Sequence, residues 1–286
     1  MTPDRQARAV PSMALPQNVE TPVLGLGTWQ LTGSACERVV EQALHLGYRH
    51  IDTAEAYGNE EAIGNALASS SLRRNELFIT SKVAREHLRE REVQHACRQS
   101  LDRLGTGYLD LYLVHWPNRA IPMAETLRAL EDLREEGVIR AWGVSNFTAA
   151  HLREALEVGR PGTNQVELHP YFQQPDLRAA CGELGVPLSA YRPLDQGRVA
   201  EDPILTEVGR RHEKTAAQVA LRWLVQRGCL VLPKASAPER LRENLELFDF
   251  ELTEEEMARI SSLDQGRRML EPSWAEFDRV DRGGHG

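Results

Sequence analysis

The chain has 286 residues, 41% hydrophobic and 27% charged, so it can bury a full core and is not a disordered polymer. A formal net charge of -8, from 34 Lys+Arg against 42 Asp+Glu, argues against non-specific nucleic-acid binding. Cys36, Cys97, Cys181 and Cys229 are widely spaced without a C-x-x-C, the first twelve residues carry no signal-like apolar stretch, and no run approaches the ~18 apolar residues of a membrane span. The pattern is that of a cytoplasmic protein with reduced thiols, no metal site, no membrane contact and no nucleic-acid partner.

Short apolar runs alternate with amphipathic stretches along the chain. Strands are predicted at Val23–Thr28, Tyr48–Asp52, Leu77–Ser81, Leu109–Val114, Ile139–Val144, Asn164–Glu167, Pro187–Tyr191 and Cys229–Leu232. Runs such as "LDLYLV" and "CLVL" are continuously apolar, as in strands covered on both faces. Helices are predicted between them at Cys36–Leu46, Glu60–Ser69, Glu90–Leu104, Met123–Glu136, Ala149–Val158, Asp176–Leu184 and Ala216–Arg227. Val93, Ala96, Cys97, Ser100, Leu101 and Leu104 share one helical face, and Gly105 ends that helix. Thr253 and Glu256 form a capping box at a further helix start.

Alternating β and α elements imply a parallel sheet with right-handed crossovers, and eight strands favour closure into a single (β/α)₈ TIM barrel over residues 13–279. The rival is an open doubly wound sheet, but no G-x-G-x-x-G follows the first strand. A short N-terminal hairpin closing the barrel floor is expected, with mobile tails at 1–12 and 280–286.

Chemistry on such a barrel sits at the C-terminal ends of the strands. Asp52, Lys82, His115, Asn146, Glu167, Tyr191 and Lys234 all fall there, with Tyr57 just beyond Asp52. Each has a plainer reading alone: a capping Asp, a packed Tyr, a solvated Lys, a core His. Together, Asp52, Tyr57, Lys82 and His115 supply an acid, a phenol, an ammonium and an imidazole, the parts of a device that hands a proton to a carbonyl.

The strings "LGLGTW", "GYRHIDTAEAYGNE", "LFITSK", "LDLYLVHWP", "GVSNF", "NQVELHP", "YRPL" and "LPKASAPERLRENLELFDFEL" resemble, in order and spacing, the aldo-keto reductase superfamily. The short "NRAIPMAE" and "DQGRVAEDP" segments make the chain most similar to prokaryotic members such as the 2,5-diketo-D-gluconate and methylglyoxal reductases. The resemblance implies a monomeric barrel that binds NADPH, with NADH weaker, and reduces small aldehydes, dicarbonyls or keto-sugars. It implies Tyr57 as proton donor, Lys82 lowering the phenol's pKa, Asp52 holding Lys82, and His115 orienting the carbonyl.

It further implies that Ser145, Asn146 and Gln165 hold the nicotinamide carboxamide, that Tyr191 stacks on its ring, and that Leu194 lies along the cofactor. Lys234, Arg240 and Asn244 match the grip on the adenosine 2′-phosphate and adenine. Ala235 and Ala237 depart from the hydroxyl residues common there, and Arg192 and Asp195 replace an uncharged Ser and Gly. Trp29, Tyr57, His115 and Trp116 would form the substrate mouth, and Trp274 either folds over it or packs outside. Two other classes compete: a catalytically silent nucleotide-binding relative acting through a protein partner, and a hydrolase or isomerase on the same barrel. The complete four-residue set speaks against the first, and no paired-carboxylate or metal-ligand pattern supports the second.

Overall fold

The computed structural model describes residues 10–277. The expected tails lie outside them except for residues 10–12, and Ser12 already opens the first strand. That strand, β1 (Ser12–Leu15), pairs antiparallel with β2 (Val19–Pro22). Gln17 and Asn18 turn the hairpin with φ of 74° and 57°, in the left-handed region. The Gln17 side chain donates to the Arg160 carbonyl at 2.7 Å and accepts from the Trp142 N–H at 2.9 Å, which fastens the hairpin across one end of the sheet.

The alternating part begins with β3 (Leu26–Gly27), α1 (Gly33–Leu46), β4 (His50–Asp52), α2 (Glu60–Ser69), β5 (Phe78–Val83), α3 (Glu90–Leu104), β6 (Leu109–Val114) and α4 (Met123–Glu135). It continues with β7 (Ile139–Ser145), α5 (Ala149–Ala155), β8 (Asn164–Glu167), α6 (Pro175–Leu184) and β9 (Leu188–Tyr191). Then come α7 (Pro203–His212), α8 (Ala216–Gln226), β10 (Cys229–Leu232), α9 (Pro238–Leu245) and α10 (Glu254–Ser261). Strands β3 to β10 are parallel neighbours in chain order. The ring closes where Gly25 N–H donates to Val231 O at 3.0 Å and Val231 N–H to Val23 O at 2.8 Å. The fold is a (β/α)₈ barrel with an N-terminal hairpin.

The first barrel strand is shorter than expected from Val23–Thr28. Val23 and Gly25 bond to Val231, whereas only Leu26 and Gly27 form a ladder with β4. Glycine is required there: a Cβ on Gly27 would lie 2.8 Å from the Leu232 carbonyl oxygen, and one on Gly25 would lie 2.8 Å from the His50 ring. The helices pack as their periodicity dictates. In α3 the buried residues are Val93, Ala96, Cys97, Ser100, Leu101 and Leu104, and Gly105 closes the helix at φ 62°. Thr253 caps α10, its hydroxyl accepting from Glu256 N–H while Glu256 Oε2 accepts from Thr253 N–H at 2.9 Å.

Candidate active site

Strand register decides which side chains meet at the C-terminal rim. Gly27 pairs with Asp52, Ser145 with Gln165, Glu167 with Tyr191, and Tyr191 with Leu232. An elongated cavity of about 1040 Å³ opens there. Every candidate catalytic, cofactor and substrate residue singled out from the sequence lines it except Lys82, which lies beneath, and the strand-end Glu167 does not line it either.

Lys82 is fully buried in β5, and its Nζ donates to Asp52 Oδ1 and to the Thr53 carbonyl, both at 2.7 Å. Gln165 Nε2 donates to Asp52 Oδ2 at 2.7 Å, so both carboxylate oxygens are bonded. Burial pulls the Lys82 pKa below its usual value, with Asp52 the main opposing influence. Such a pair is held only because each charge answers the other; removing either would strand a buried ion.

Tyr57 sits above this pair in the one-turn segment Glu55–Tyr57, with Lys82 Nζ 5.2 Å from its ring centroid. His115 meets the phenol ring edge-on at 5.6 Å. Burial holds the Tyr57 phenol well above its ordinary pKa, the Asp52 charge adding to the effect and Arg192 opposing it. This is opposite in direction to the Lys82-driven lowering expected from sequence, because burial is the largest influence on the phenol. The phenol therefore keeps its proton. Burial, with Lys82 as the second cause, pushes His115 down to about 3, so the imidazole is neutral near pH 7.

One hydrogen-bond chain ties together the ends of β6 to β9. Ser145 Oγ donates to Gln165 O at 2.8 Å, and Asn146 Nδ2 donates to His115 O and Ser145 Oγ, both at 3.1 Å. Tyr191 Oη donates to Asn146 Oδ1 at 2.8 Å. Asn146 adopts φ 62°, a conformation asparagine tolerates better than most residues. Leu194, Lys234, Arg240 and Asn244 line the same cavity, with Ala235 and Ala237. Among the described residues no carboxylate pairs with Lys234 or Arg240. Such cations can bind an anion.

Residues 23–265 match the aldo/keto reductase family. The chain belongs to that family. It is 43% identical over 265 residues to an aldo-keto reductase of Mycolicibacterium vanbaalenii, covering 92% of this chain and 95% of the relative. Among solved structures it is similar to a candidate 2,5-diketo-D-gluconic acid reductase B, at 42% identity and TM-score 0.87, over 91% of this chain and 94% of that one. It is similar also to Bombyx mori aldo-keto reductase in complex with NADP, at 33% identity and TM-score 0.87, over 93% and 96%.

Two features of this aldo-keto reductase are absent from the sequence reading, the wall that α7 and the start of α8 supply and the anchoring role of Glu167. Helix α7 and the start of α8 supply cavity wall through Thr206, Arg210 and Thr215 to Ala217. The signal for α7 was available: Asp202 accepts from Ile204 and Leu205 N–H, and Pro203 occupies the first turn. Glu167, at a strand end, faces no cavity; it accepts from Met269 N–H at 2.6 Å and Leu270 N–H at 2.9 Å. That anchor brings the C-terminal segment over the barrel mouth, where Leu270, Pro272 and Trp274 line the cavity. Trp274 stands edge-on to Trp116 at 5.0 Å, which settles its place as a wall of the mouth. Asp195 turns away and pairs with Arg267 at 2.9 Å, while Arg192 stays in the cavity.

Among the described residues, no helix is long and apolar enough to cross a membrane, and no three His, Cys, Asp or Glu side chains are grouped to hold a metal ion.

Proposed function

We propose that this family member is an NADPH-dependent reductase of small aldehydes, dicarbonyls or keto-sugars, with Tyr57 as proton donor. One observation carries the reading. A buried Lys82–Asp52 pair lies beneath a protonated phenol and a neutral imidazole, at a cavity also lined by Lys234 and Arg240, which have no carboxylate partner among the described residues.

The residues fit a nicotinamide dinucleotide. Among the described residues Gln165 Oε1 has no partner while its Nε2 is fixed on Asp52, so an amide N–H in the cavity would find an acceptor. Tyr191 offers an aromatic face beside Ser145, Asn146 and Gln165, and Leu194 continues the wall. Lys234 and Arg240 would hold a 2′-phosphate, with Asn244 beside them, which favours NADPH over NADH. Bound there, the cofactor supplies the hydride that the protein lacks.

The protein's own contribution is orientation and a proton. His115, neutral and edge-on to Tyr57, would direct the carbonyl oxygen toward the phenol. Tyr57 then delivers its proton to that oxygen as negative charge develops, and the Lys82 ammonium lies close enough to steady the resulting phenolate. Trp29 and Trp116 give the small substrate an apolar mouth. Asp52 would act through Lys82, keeping it charged and still.

The test is consumption of NADPH and of NADH with methylglyoxal, 2,5-diketo-D-gluconate and an aromatic aldehyde, beside cofactor binding followed by tryptophan fluorescence. The reading expects turnover with NADPH preferred. Tight NADPH binding without turnover of any panel member would favour a silent nucleotide-binding relative instead.

A further inference from the structure

Arg192 follows the last residue of β9 and lines the cavity, with its backbone at φ 50°. A non-glycine residue in that region is strained, and such strain collects at working sites. Its guanidinium lies over the Trp29 ring, 4.8 Å from the centroid. Among the described residues no carboxylate pairs with it. The nearby acid of the same loop, Asp195, is already taken by Arg267 at 2.9 Å and Arg198 at 3.7 Å. Five N–H donors thus face a cavity with only an aromatic face to occupy them.

The position within the cavity narrows the ligand. The cations Lys234 and Arg240 come from elsewhere in the chain, after β10 and in α9. Arg192 lies instead over Trp29, a residue of the expected substrate mouth. Its charge is also felt at the Tyr57 phenol, where it opposes the effect of burial. Trp29, Tyr57, His115 and Trp116 line the same cavity, and its two acids are already held, Asp52 by Lys82 and Gln165 and Glu243 by Thr215. A cation–π contact at a half-open position is a weak tether, and a carboxylate that accepts two parallel N–H bonds would displace it.

We propose that Arg192 is the substrate-anion anchor of this site, so that the carbonyl compounds the enzyme selects carry a carboxylate. The proposal rests on the reductase reading and deepens it. The carboxylate would bind the guanidinium fork beside Trp29 while the carbonyl oxygen lies between Tyr57 and His115. Charge then sorts acidic aldehydes and ketones from neutral ones of the same size.

The experiment compares 4-formylbenzoate with its neutral methyl ester, on wild type, Arg192→Gln and Arg192→Lys. Wild type should show a KM for the acid lower than for the ester by on the order of tenfold or more, the value of a charge-assisted pair. Arg192→Gln should abolish that preference, and Arg192→Lys should keep part of it, with charge but no planar fork. Quenching of tryptophan fluorescence by unreactive benzoate, added to the NADP⁺-loaded protein, should follow the same order without any turnover. Equal KM values for acid and ester in wild type would overturn the proposal and leave the reductase reading standing. A loss in Arg192→Gln that falls on NADPH affinity, equally for acid and ester, would also overturn it and assign the guanidinium to the dinucleotide's pyrophosphate. Turnover of neither aldehyde by wild type, with benzoate failing to quench, would sink both readings; quenching by benzoate alone would keep the anchor and reject the reductase.

Discussion

Replacing Lys82 by Met should destabilise the protein severely, and the structure gives the size of the effect. Asp52 is only 4% exposed and Lys82 fully buried, with 2.7 Å between Nζ and Oδ1. Met fills nearly the same volume, so the change is mainly electrostatic. It leaves the Asp52 carboxylate with Gln165 Nε2 and strips the Thr53 carbonyl of its donor. Breaking a buried pair from one side costs about 3–5 kcal/mol. For a chain of this length that corresponds to a Tm lower by roughly 5–10 °C. Urea titrations followed by circular dichroism would measure it directly. Adding Asp52→Asn to Lys82→Met should recover part of the loss, because it removes the stranded charge, and the two sites should couple by about 1–3 kcal/mol in the double-mutant cycle. A single variant within about 1 kcal/mol of wild type would refute the view that these charges depend on one another.

Alkaline pH should unfold the protein well before its arginines matter. Burial raises Cys36, Cys181 and Cys229 to about 11 and Cys97 to about 12, from an ordinary 9.0. Burial also lifts Tyr48, Tyr57, Tyr112, Tyr171 and Tyr191 above an ordinary 10.0. Folded values above unfolded ones give stability that is complete below about pH 9 and lost as pH climbs toward 12; urea midpoints that stay constant across that window would contradict this. In kinetics, neither His115, held near 3, nor Tyr57, held above 10.0, titrates close to neutrality, so kcat/KM for reduction should show no inflection near the usual histidine pKa of about 6.5. An inflection there that vanishes in His115→Gln would contradict the neutral, buried imidazole. Ala235 is 4% exposed on the cavity wall between Lys234 and Ser236, and Ala235→Ser should raise the preference for NADPH over NADH by about threefold to tenfold, the worth of one hydrogen bond to phosphate. Unchanged dissociation constants for both cofactors would count against a 2′-phosphate beside Ala235.

Strands β6, β8 and β10 were legible from end to end, β6 and β10 because a strand buried on both faces writes itself as a continuous apolar run. The one-sided face of α3 was legible for the corresponding reason, a helix that packs on one side and meets water on the other. The first barrel strand was not: its two halves answer different neighbours, Val231 on one side and β4 on the other, and that stagger has no local signature. The C-terminal wall was legible only as one of two alternatives for Trp274, since its place depends on Glu167 capturing two backbone N–H groups about a hundred residues away. At the site, residue types foretold which groups would gather, but not their electrostatics. Tyr57 and Lys82 read as a phenol facing an ammonium; the folded chain turns the ammonium to Asp52 and Thr53 and leaves the phenol to burial.

The most direct test of the central claim is NADPH-dependent reduction of a carbonyl that wild type turns over, measured for wild type and Tyr57→Phe, with NADPH affinity read by fluorescence in the same samples. Removing one hydroxyl should lower kcat by roughly 10²–10⁴-fold while the protein remains folded and still binds the cofactor. A Tyr57→Phe variant that reduces its substrate within about threefold of wild type would contradict the assignment of the proton donor, and with it the role given to the Lys82–Asp52 pair beneath.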